Sequence, residues 1–407
     1  METAWILYTI FRFSFALVFV GLHCVLMAGL FLEWRRDKQA CRAAVSSVPN
    51  LSDSSVPNVS VIIPIHNEAE RMAGLLRSLE LQDYPSAEYI FVDDRSSDGS
   101  LAMIRRFAET GGNVRIITLT ENPGLNHKQY ALSRGIDAAL GDLLLFTDAD
   151  CEAPPSWIRA MALRMADQRI GAVIGPVFKL HFERSYVWGQ SSAERGQSSF
   201  ARRFFHTYQC FDHAIRYMYL AASTGIGAAG GGFGNNLILR RQALDSIGGY
   251  EQVPPSPTED AALISQIRAG GKYTVRSACG DDVHVMTRGE NSWAALVNQT
   301  LRWNNGGLFS PEISTRLNFG FLMVTISMGM IAIPFVPLIP SLWPLPAAVF
   351  LSMTVNTLAT LRIFGAALPK AGPAWALHAV FTPLYFTFLT ILGFCGAKVE
   401  WKGSEVR

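Results

Sequence analysis

Charge is scarce in this sequence. Asp, Glu, Lys and Arg make up 17% of its 407 residues, against roughly 25% in an ordinary soluble domain. The signs nearly cancel, 35 Lys+Arg against 33 Asp+Glu. A net charge of +2 excludes nucleic acid as a partner held by bulk charge. Cysteine is also rare: the six, at 24, 41, 151, 210, 279 and 395, form no CxxC pair and no metal-ligand spacing. That excludes a disulfide scaffold and reads as reduced thiols in a cytosol-facing or membrane-buried protein. Hydrophobic residues are abundant instead, at 49%, which excludes disorder.

The apolar excess is concentrated in three runs. Phe13 to Leu32 carries no Asp, Glu, Lys or Arg over 20 residues, about one bilayer crossing. His23 is its one group titrating near neutral pH. Leu317 to Leu361 is uncharged over 45 residues, ~68 Å as helix and about twice a ~30 Å hydrocarbon core. Prolines at 334, 337, 340, 344 and 346 predict a turn between two helices of a hairpin. Ala371 to Ala397 supplies one more crossing. Trp34-Arg35-Arg36 follows the first run where a signal peptide would place small residues, so a retained anchor is expected.

Arg35, Arg36, Lys38 and Arg42 follow that anchor and only Arg12 precedes it. The positive-inside rule therefore puts the N-terminus outside and residues 33–316 in the cytosol. The expected organisation is an anchor over 1–34, a cytosolic domain over 35–316 and an apolar region of about three helices over 317–407, in a multi-pass protein of the cell membrane. A full last crossing would strand Lys398, Lys402 and Arg407 outside, against the same rule. One segment of the 317–361 run would then lie in the interface or re-enter.

Within the polar block, Val59–Ile65, Glu88–Asp94, Val114–Thr120 and Asp142–Asp148 read as strands. Helical patterns over 68–81, 98–109 and 127–140 alternate with them. This alternation predicts an α/β domain with a doubly wound parallel sheet and ligands at the carboxyl ends of its strands. Polar residues cluster at those ends: His66-Asn67-Glu68, Asp93-Asp94 and Asp148-Ala149-Asp150. No Walker A loop and no GxGxxG follows the first strand, and acidic strand ends would repel a naked polyphosphate. They suit a phosphate arriving with Mg²⁺ or Mn²⁺, held by Asp148 and Asp150. Lys128, opening the third helix, would add a positive contact to the same phosphates.

In order along the chain, Pro64-Ile-His-Asn-Glu68 resembles a P-x-x-N-E motif and Val92-Asp-Asp-Arg-Ser-Ser-Asp-Gly99 a V-D-D-x-S-x-D-G motif. Gly124-Leu-Asn-His-Lys-Gln-Tyr-Ala-Leu132 resembles G-K-x-x-A-L, and Asp148-Ala-Asp150 a DxD motif. Thr258-Glu-Asp260 resembles T/G-E-D, and Gln299-Thr-Leu-Arg-Trp303 resembles Q-x-x-R-W. With the flanking apolar runs, the chain resembles the membrane-embedded inverting glycosyltransferases of family 2, whose ceramide-glucosylating and polysaccharide-synthase members share these motifs. The resemblance implies a Rossmann-like GT-A domain that binds a nucleotide-sugar. It assigns Pro64, Asn67, Glu68 and Asp94 to the nucleoside of a uridine-type donor, and Asp148 and Asp150 to the pyrophosphate through the metal. Asp260 becomes the catalytic base, on the face opposite the leaving group. Glu259 would point elsewhere or bond to backbone. Arg302 and Trp303, on an amphipathic helix over 292–310, would close over the donor, where a planar Arg suits diphosphate oxygens and a Trp face a sugar. Gln299 belongs to the same motif. His284 reads as a core histidine or a further metal ligand.

The acceptor separates two enzymes. A polysaccharide synthase needs a channel, and about four crossings are few for one. The segment Gly225–Asn236 also departs from the F-x-C/S-G-T/S pattern of cellulose and chitin synthases. A membrane lipid acceptor is therefore expected: a glycolipid, sterol, carotenoid or polyprenyl phosphate. Asn235 and Asn236 would bond its hydroxyl, or sit in a flexible loop. The aromatic stripe Phe200, Phe204, Phe205, Tyr208, Phe211, Ile215 and Met218 reads as core or as a face in the headgroup layer of the bilayer. A non-catalytic membrane subunit would have lost carboxylates, yet Asp94, Asp148, Asp150 and Asp260 are all present.

Overall fold

The computed structural model describes residues 2–47, 56–121, 126–180, 200–256, 258–308, 310, 312–397, 399–401 and 404–406. Gly124 and Leu125 lie outside them, as do Lys398, Lys402 and Arg407, which bear on the side of the C-terminus.

Helix α1 (Glu2–Ser47) leads into β1 (Val59–Ile65), α2 (Ala73–Glu80), β2 (Ala87–Asp94), α3 (Ser100–Glu109), β3 (Val114–Leu119), α4 (His127–Ala138) and β4 (Leu143–Phe146). Then come β5 (Cys151–Glu152), α5 (Trp157–Leu163), β6 (Ile170–Ile174), β7 (Val177–Lys179), α6 (Phe200–Gly225), β8 (Leu237–Arg240) and α7 (Arg241–Asp245). The chain continues through α8 (Glu259–Ala269), β9 (Thr274–Ser277), β10 (Val285–Thr287), α9 (Trp293–Leu308), α10 (Ile313–Ala332), α11 (Pro344–Phe364) and α12 (Ala374–Phe394). A terminal hairpin of β11 (Val399–Trp401) and β12 (Ser404–Val406) packs on α9.

Seven strands form one sheet in the order β3-β2-β1-β4-β8-β6-β9. The first four are parallel, as the sequence alternation requires. The sheet as a whole is mixed, because β8 runs antiparallel to both β4 and β6. The reversal has a consequence for ligands: Leu237 pairs with Phe146, so the loop before β8 lies at the carboxyl end of β4, beside Asp148. Side chains alternate across the sheet between two apolar layers. Ile62, Ile90, Leu144 and Phe146 enter one layer, while Val61, Ile63, Phe91 and Leu145 enter the other. A strand covered on both faces must be apolar throughout, which explains the Val59–Ile65 run.

The first of these layers continues into the long helices, through Leu26 and Leu30 of α1, Met353 and Phe364 of α11 and Trp375 of α12. Among the described residues four helices are long and apolar enough to cross a membrane: Phe13–Ala43, Thr315–Phe335, Pro340–Phe364 and Ala374–Phe394. Leu17, Leu317, Leu358 and Phe388 stand exposed on their outer faces. Prolines 334 and 340 sit in short 3-10 turns between α10 and α11. Helix α1 does not stop at residue 34; it runs unbroken to Ser47. Its last turns enter the domain, where Glu33 accepts from Ser277 N at 2.8 Å and Asp37 from Cys279 N at 2.9 Å. Buried Arg164 closes the joint on Asp37 at 2.6 Å.

Helix α6 is where the domain and the apolar helices meet. Phe205, Tyr208, Phe211, Ile215 and Met218 are buried, so the aromatic stripe is core and only its first ring, Phe200, is exposed. The crossing with α1 is close: a Cβ on Gly225 would collide with the Gly29 carbonyl, and one on Gly29 with that of Ala222. Only glycine allows backbones this near.

Candidate active site

The clustered strand ends are built by two loops that clasp each other. Asn67 takes a left-handed backbone, φ 55°, and its side-chain oxygen accepts from Ser97 N at 2.8 Å. Glu68 N donates to Ser100 Oγ at 2.8 Å and Ala69 N to Asp98 at 3.0 Å. The regular helix α2 begins only at Ala73, after a turn in which Arg71 N and Met72 N both donate to the Glu68 carbonyl at 2.9 Å. Asp94, 2% exposed, accepts from Arg95 Nε at 2.8 Å and faces His127 Nδ1 at 3.1 Å. Burial opposes its charge, but the Arg95 and His127 bonds prevail and lower its pKa.

Asn126 caps α4, its side chain accepting from Lys128 N at 3.1 Å and Gln129 N at 3.4 Å. The cap sets Lys128 in the first turn, with Nζ 2.9 Å from Asp148 Oδ1 and 3.3 Å from Glu259 Oε1. Glu259 therefore bonds to a lysine and not to backbone. Burial works against the ammonium, yet Asp148 and Glu259 together hold its pKa above the ordinary lysine value. Asp260 opens α8 beside it. Its carboxylate accepts from Gly234 N at 2.7 Å and Ala261 N at 2.8 Å. Burial foremost, then the Glu259 charge, raise its pKa, against Lys128 and the two N–H bonds.

Asp150 is held separately from Asp148, accepting from Thr287 Oγ1 at 3.0 Å. Strand β10 makes that possible by pairing Thr287 with Cys151. Among the described residues no group of three or more His, Cys, Asp and Glu side chains forms a metal cage. Two hard carboxylates at one strand end nonetheless fit Mg²⁺ or Mn²⁺, which take their remaining ligands from water and substrate phosphates.

One cavity of about 1170 Å³ joins these groups. Its lining includes Pro64, Glu68, Asp94, Lys128, Asp148 and Asp150 of the strand ends, with Asp260 and Asn235. Gln299, Arg302 and Trp303 of α9 also line it, as do the apolar Leu22, Leu26, Leu322, Ile326 and Met353 of the long helices. One sequence expectation is corrected. Asn236 is fully buried and does not line the cavity; it accepts from Trp157 Nε1 at 2.9 Å and donates to the Pro176 and Val283 carbonyls, both at 2.8 Å. Asn67 is exposed beside the lining residues His66 and Glu68, with its Oδ1 engaged in the clasp. His284 packs edge-on against Phe178, ring centroids 5.0 Å apart, in the core and away from this cavity.

Sequence reasoning missed Arg95, His127, His213 and Arg216, all in the lining. For Arg216 there was a signal: Asp212 four residues earlier, an opposite-charge pair at helical spacing inside an aromatic stripe.

A mixed α/β sheet with carboxylates at its strand ends, opening on a deep cleft, defines a GT-A type nucleotide-sugar-binding domain. Residues 60–247 match the family model "Glycosyl transferase family 2". The chain belongs to glycosyltransferase family 2. It is 30% identical to the probable glycosyltransferase YdaM of Bacillus subtilis over 309 residues, 74% of this chain and 66% of that one. It is 22% identical to the beta-monoglucosyldiacylglycerol synthase of Trichormus variabilis over 295 residues, 70% of this chain and 58% of that one. The matches span 46, 31 and 58% of the length of the first three curated relatives. A mannosyltransferase of Pyrobaculum calidifontis, solved with GDP-Man and Mn²⁺, shares the fold at a TM-score of 0.53 and 19% identity, covering 94% of this chain and 99% of that one.

Proposed function

We propose that the chain transfers a hexosyl group, with inversion, from a nucleotide-sugar of the UDP type to a hydroxyl of a membrane lipid. The observation that carries this reading is the cavity, continuous from the carboxylates Asp148, Asp150 and Asp260 to apolar side chains of α1, α10 and α11. A soluble acceptor needs no apolar extension; a lipid needs one for its chains. The synthase and mannosyltransferase named above support a lipid acceptor and a divalent metal.

In this reading Pro64, Glu68 and Asp94 hold the nucleoside, and Asp148 and Asp150 the diphosphate with Mg²⁺ or Mn²⁺. The bound cation supplies neutralisation of the charge that develops on the leaving diphosphate. Asp260 takes the proton of the acceptor hydroxyl as its oxygen attacks the anomeric carbon and the bond to the nucleoside diphosphate breaks. Burial that raises the pKa of Asp260 makes it a better base. Arg302 and Trp303 close the donor, and Gln299 and Asn235 flank the acceptor. The domain lies in the cytosol, with the apolar helices in the cell membrane.

The test uses detergent-purified protein, Mg²⁺ or Mn²⁺, labelled UDP- and GDP-sugars and a total lipid extract. Label in a discrete organic-soluble product supports the reading. Label in a long water-soluble polymer replaces it with a processive synthase.

A further inference from the structure

Where the apolar helices α1 and α11 meet the domain, the exposed charge is of one sign. Arg35, Lys38 and Arg42 of α1, Arg362 of α11 and Lys370 in the turn before α12 are all exposed. The stretches 30–47 and 356–376 hold only two carboxylates, Glu33 and Asp37, and the fold turns both inward, 1% and 7% exposed. Glu33 is spent on Ser277 N, Arg276 and Arg36, and Asp37 on Cys279 N and Arg164. Asp282, which approaches from the domain, gives both oxygens to Arg164, at 2.9 and 3.0 Å. Among the described residues none of the five exposed cations lies within ion-pair distance of a carboxylate.

These cations begin where the apolar surface of the helices ends. On α1 the uncharged run stops at Leu32, with Val25, Phe31 and Leu32 exposed ahead of Arg35. On α11 Leu351, Val355 and Leu358 are exposed ahead of Arg362. Trp34 brings the two ends together: Lys38 Nζ lies 3.9 Å from its ring centroid and the Arg362 guanidinium carbon 6.0 Å. The apolar band on two adjoining helices thus gives way to cations at one level, with an indole between them. Hydrocarbon, interface and head groups follow each other in that order in a bilayer leaflet.

A soluble anion would use the cations and not the apolar band beside them. A zwitterionic head group brings an ammonium of its own, which unpaired cations repel. An anionic phospholipid offers phosphate oxygens without that ammonium, and its chains lie along the band. We infer that Arg35, Lys38, Arg42, Arg362 and Lys370 form a collar that binds the head groups of anionic phospholipids. The collar is separate from sugar transfer, and it rests only on the reading that the apolar helices lie in a membrane.

The test reconstitutes the full chain in phosphatidylcholine vesicles carrying a trace of spin-labelled phosphatidylglycerol or phosphatidylcholine, and reads the motionally restricted lipid by electron spin resonance. The parent is expected to hold phosphatidylglycerol at least about fivefold better than phosphatidylcholine. The preference should weaken in ~1 M salt, where the Debye length is ~3 Å. The triple substitution Arg35→Gln, Lys38→Gln and Arg42→Gln should cut it about threefold or more, and Arg362→Gln with Lys370→Gln should lower it independently. Arg105→Gln, Arg106→Gln and Lys272→Gln together remove as many exposed charges from the domain and should leave it unchanged. Equal retention of the two lipids by the parent would overturn the collar and leave its charge for an acidic protein segment. An equal loss of preference in the domain triple would overturn it too, by making the effect one of bulk charge. A chain that enters the vesicles without preferring either lipid fails this inference alone, whereas one that does not enter them fails the membrane reading beneath it.

Discussion

Lys128 is the cation shared by Asp148 and Glu259, 2.9 Å from one carboxylate and 3.3 Å from the other. It ties the carboxyl end of β4 to the first turn of α8, and so ties the expected metal ligand to the segment carrying the expected base. Lys128→Met removes the ammonium that faces these carboxylates and Asp260. Donor KM should rise about tenfold or more. Because Lys128 lowers the Asp260 pKa, the acidic limb of kcat/KM should also move to higher pH. An unmoved limb would separate Lys128 from the base.

The base itself predicts a pH dependence. A general base works only when deprotonated, so kcat/KM should fall as pH drops through the Asp260 pKa. Burial and Glu259 raise that pKa, so the midpoint should lie above ~3.9, the ordinary aspartate value. Asp260→Asn should abolish the limb and lower kcat by about 10²–10⁴-fold, with donor binding preserved. A variant transferring sugar at close to the parent rate would reassign the base.

Metal dependence is read from donor binding. Chelation by EDTA should remove nucleotide-sugar affinity, and added Mn²⁺ or Mg²⁺ should restore it. Asp150→Ala should lose the metal-dependent part, because Thr287 alone offers no carboxylate in its place. Donor affinity indifferent to EDTA would remove the metal from the reading.

Much of this was legible in the residues. The Val59–Ile65 run and the strand-end carboxylates give the parallel half of the sheet and its site, because a strand buried on both faces has no room for polar residues except at its end. Less legible was β8. Leu-Ile-Leu-Arg reads as a strand in either direction, and only its pairing of Leu237 with Phe146 shows the reversal. Asn236 misled for a related reason: an Asn after a glycine-rich segment looks available, and its three internal bonds come from Trp157, Pro176 and Val283, far away in sequence. The Lys128–Glu259 pair spans 131 positions by their numbers, beyond any local pattern.

Asn236 yields its own prediction. If its amide holds β8 to the neighbouring loops, Asn236→Ala should lower stability by about 1–3 kcal/mol, the cost of leaving buried partners unpaired. Acceptor KM at a temperature where the variant is folded should be unchanged. Asn235→Ala, in the lining, should show the reverse: a changed acceptor KM with little loss in thermal unfolding temperature.

The joint between α1 and the domain is the remaining test. Asp37 and Arg164 are 7% and 4% exposed, and Arg164 reaches Asp37 at 2.6 Å and Asp282 at 2.9 Å. Two charges buried together roughly break even against apolar substitutes, but a single one left behind is costly. Arg164→Met should therefore destabilise the protein by about 3–5 kcal/mol, read as a fall in unfolding temperature in detergent. Asp37→Asn keeps a group able to accept from Cys279 N and should cost less. None of Glu33, Asp37, Arg164 and Asp282 lines the cavity, so donor affinity in the folded Arg164→Met fraction should match the parent. If instead donor affinity falls with stability held constant, α1 positions the site and does more than fasten the domain to the apolar helices.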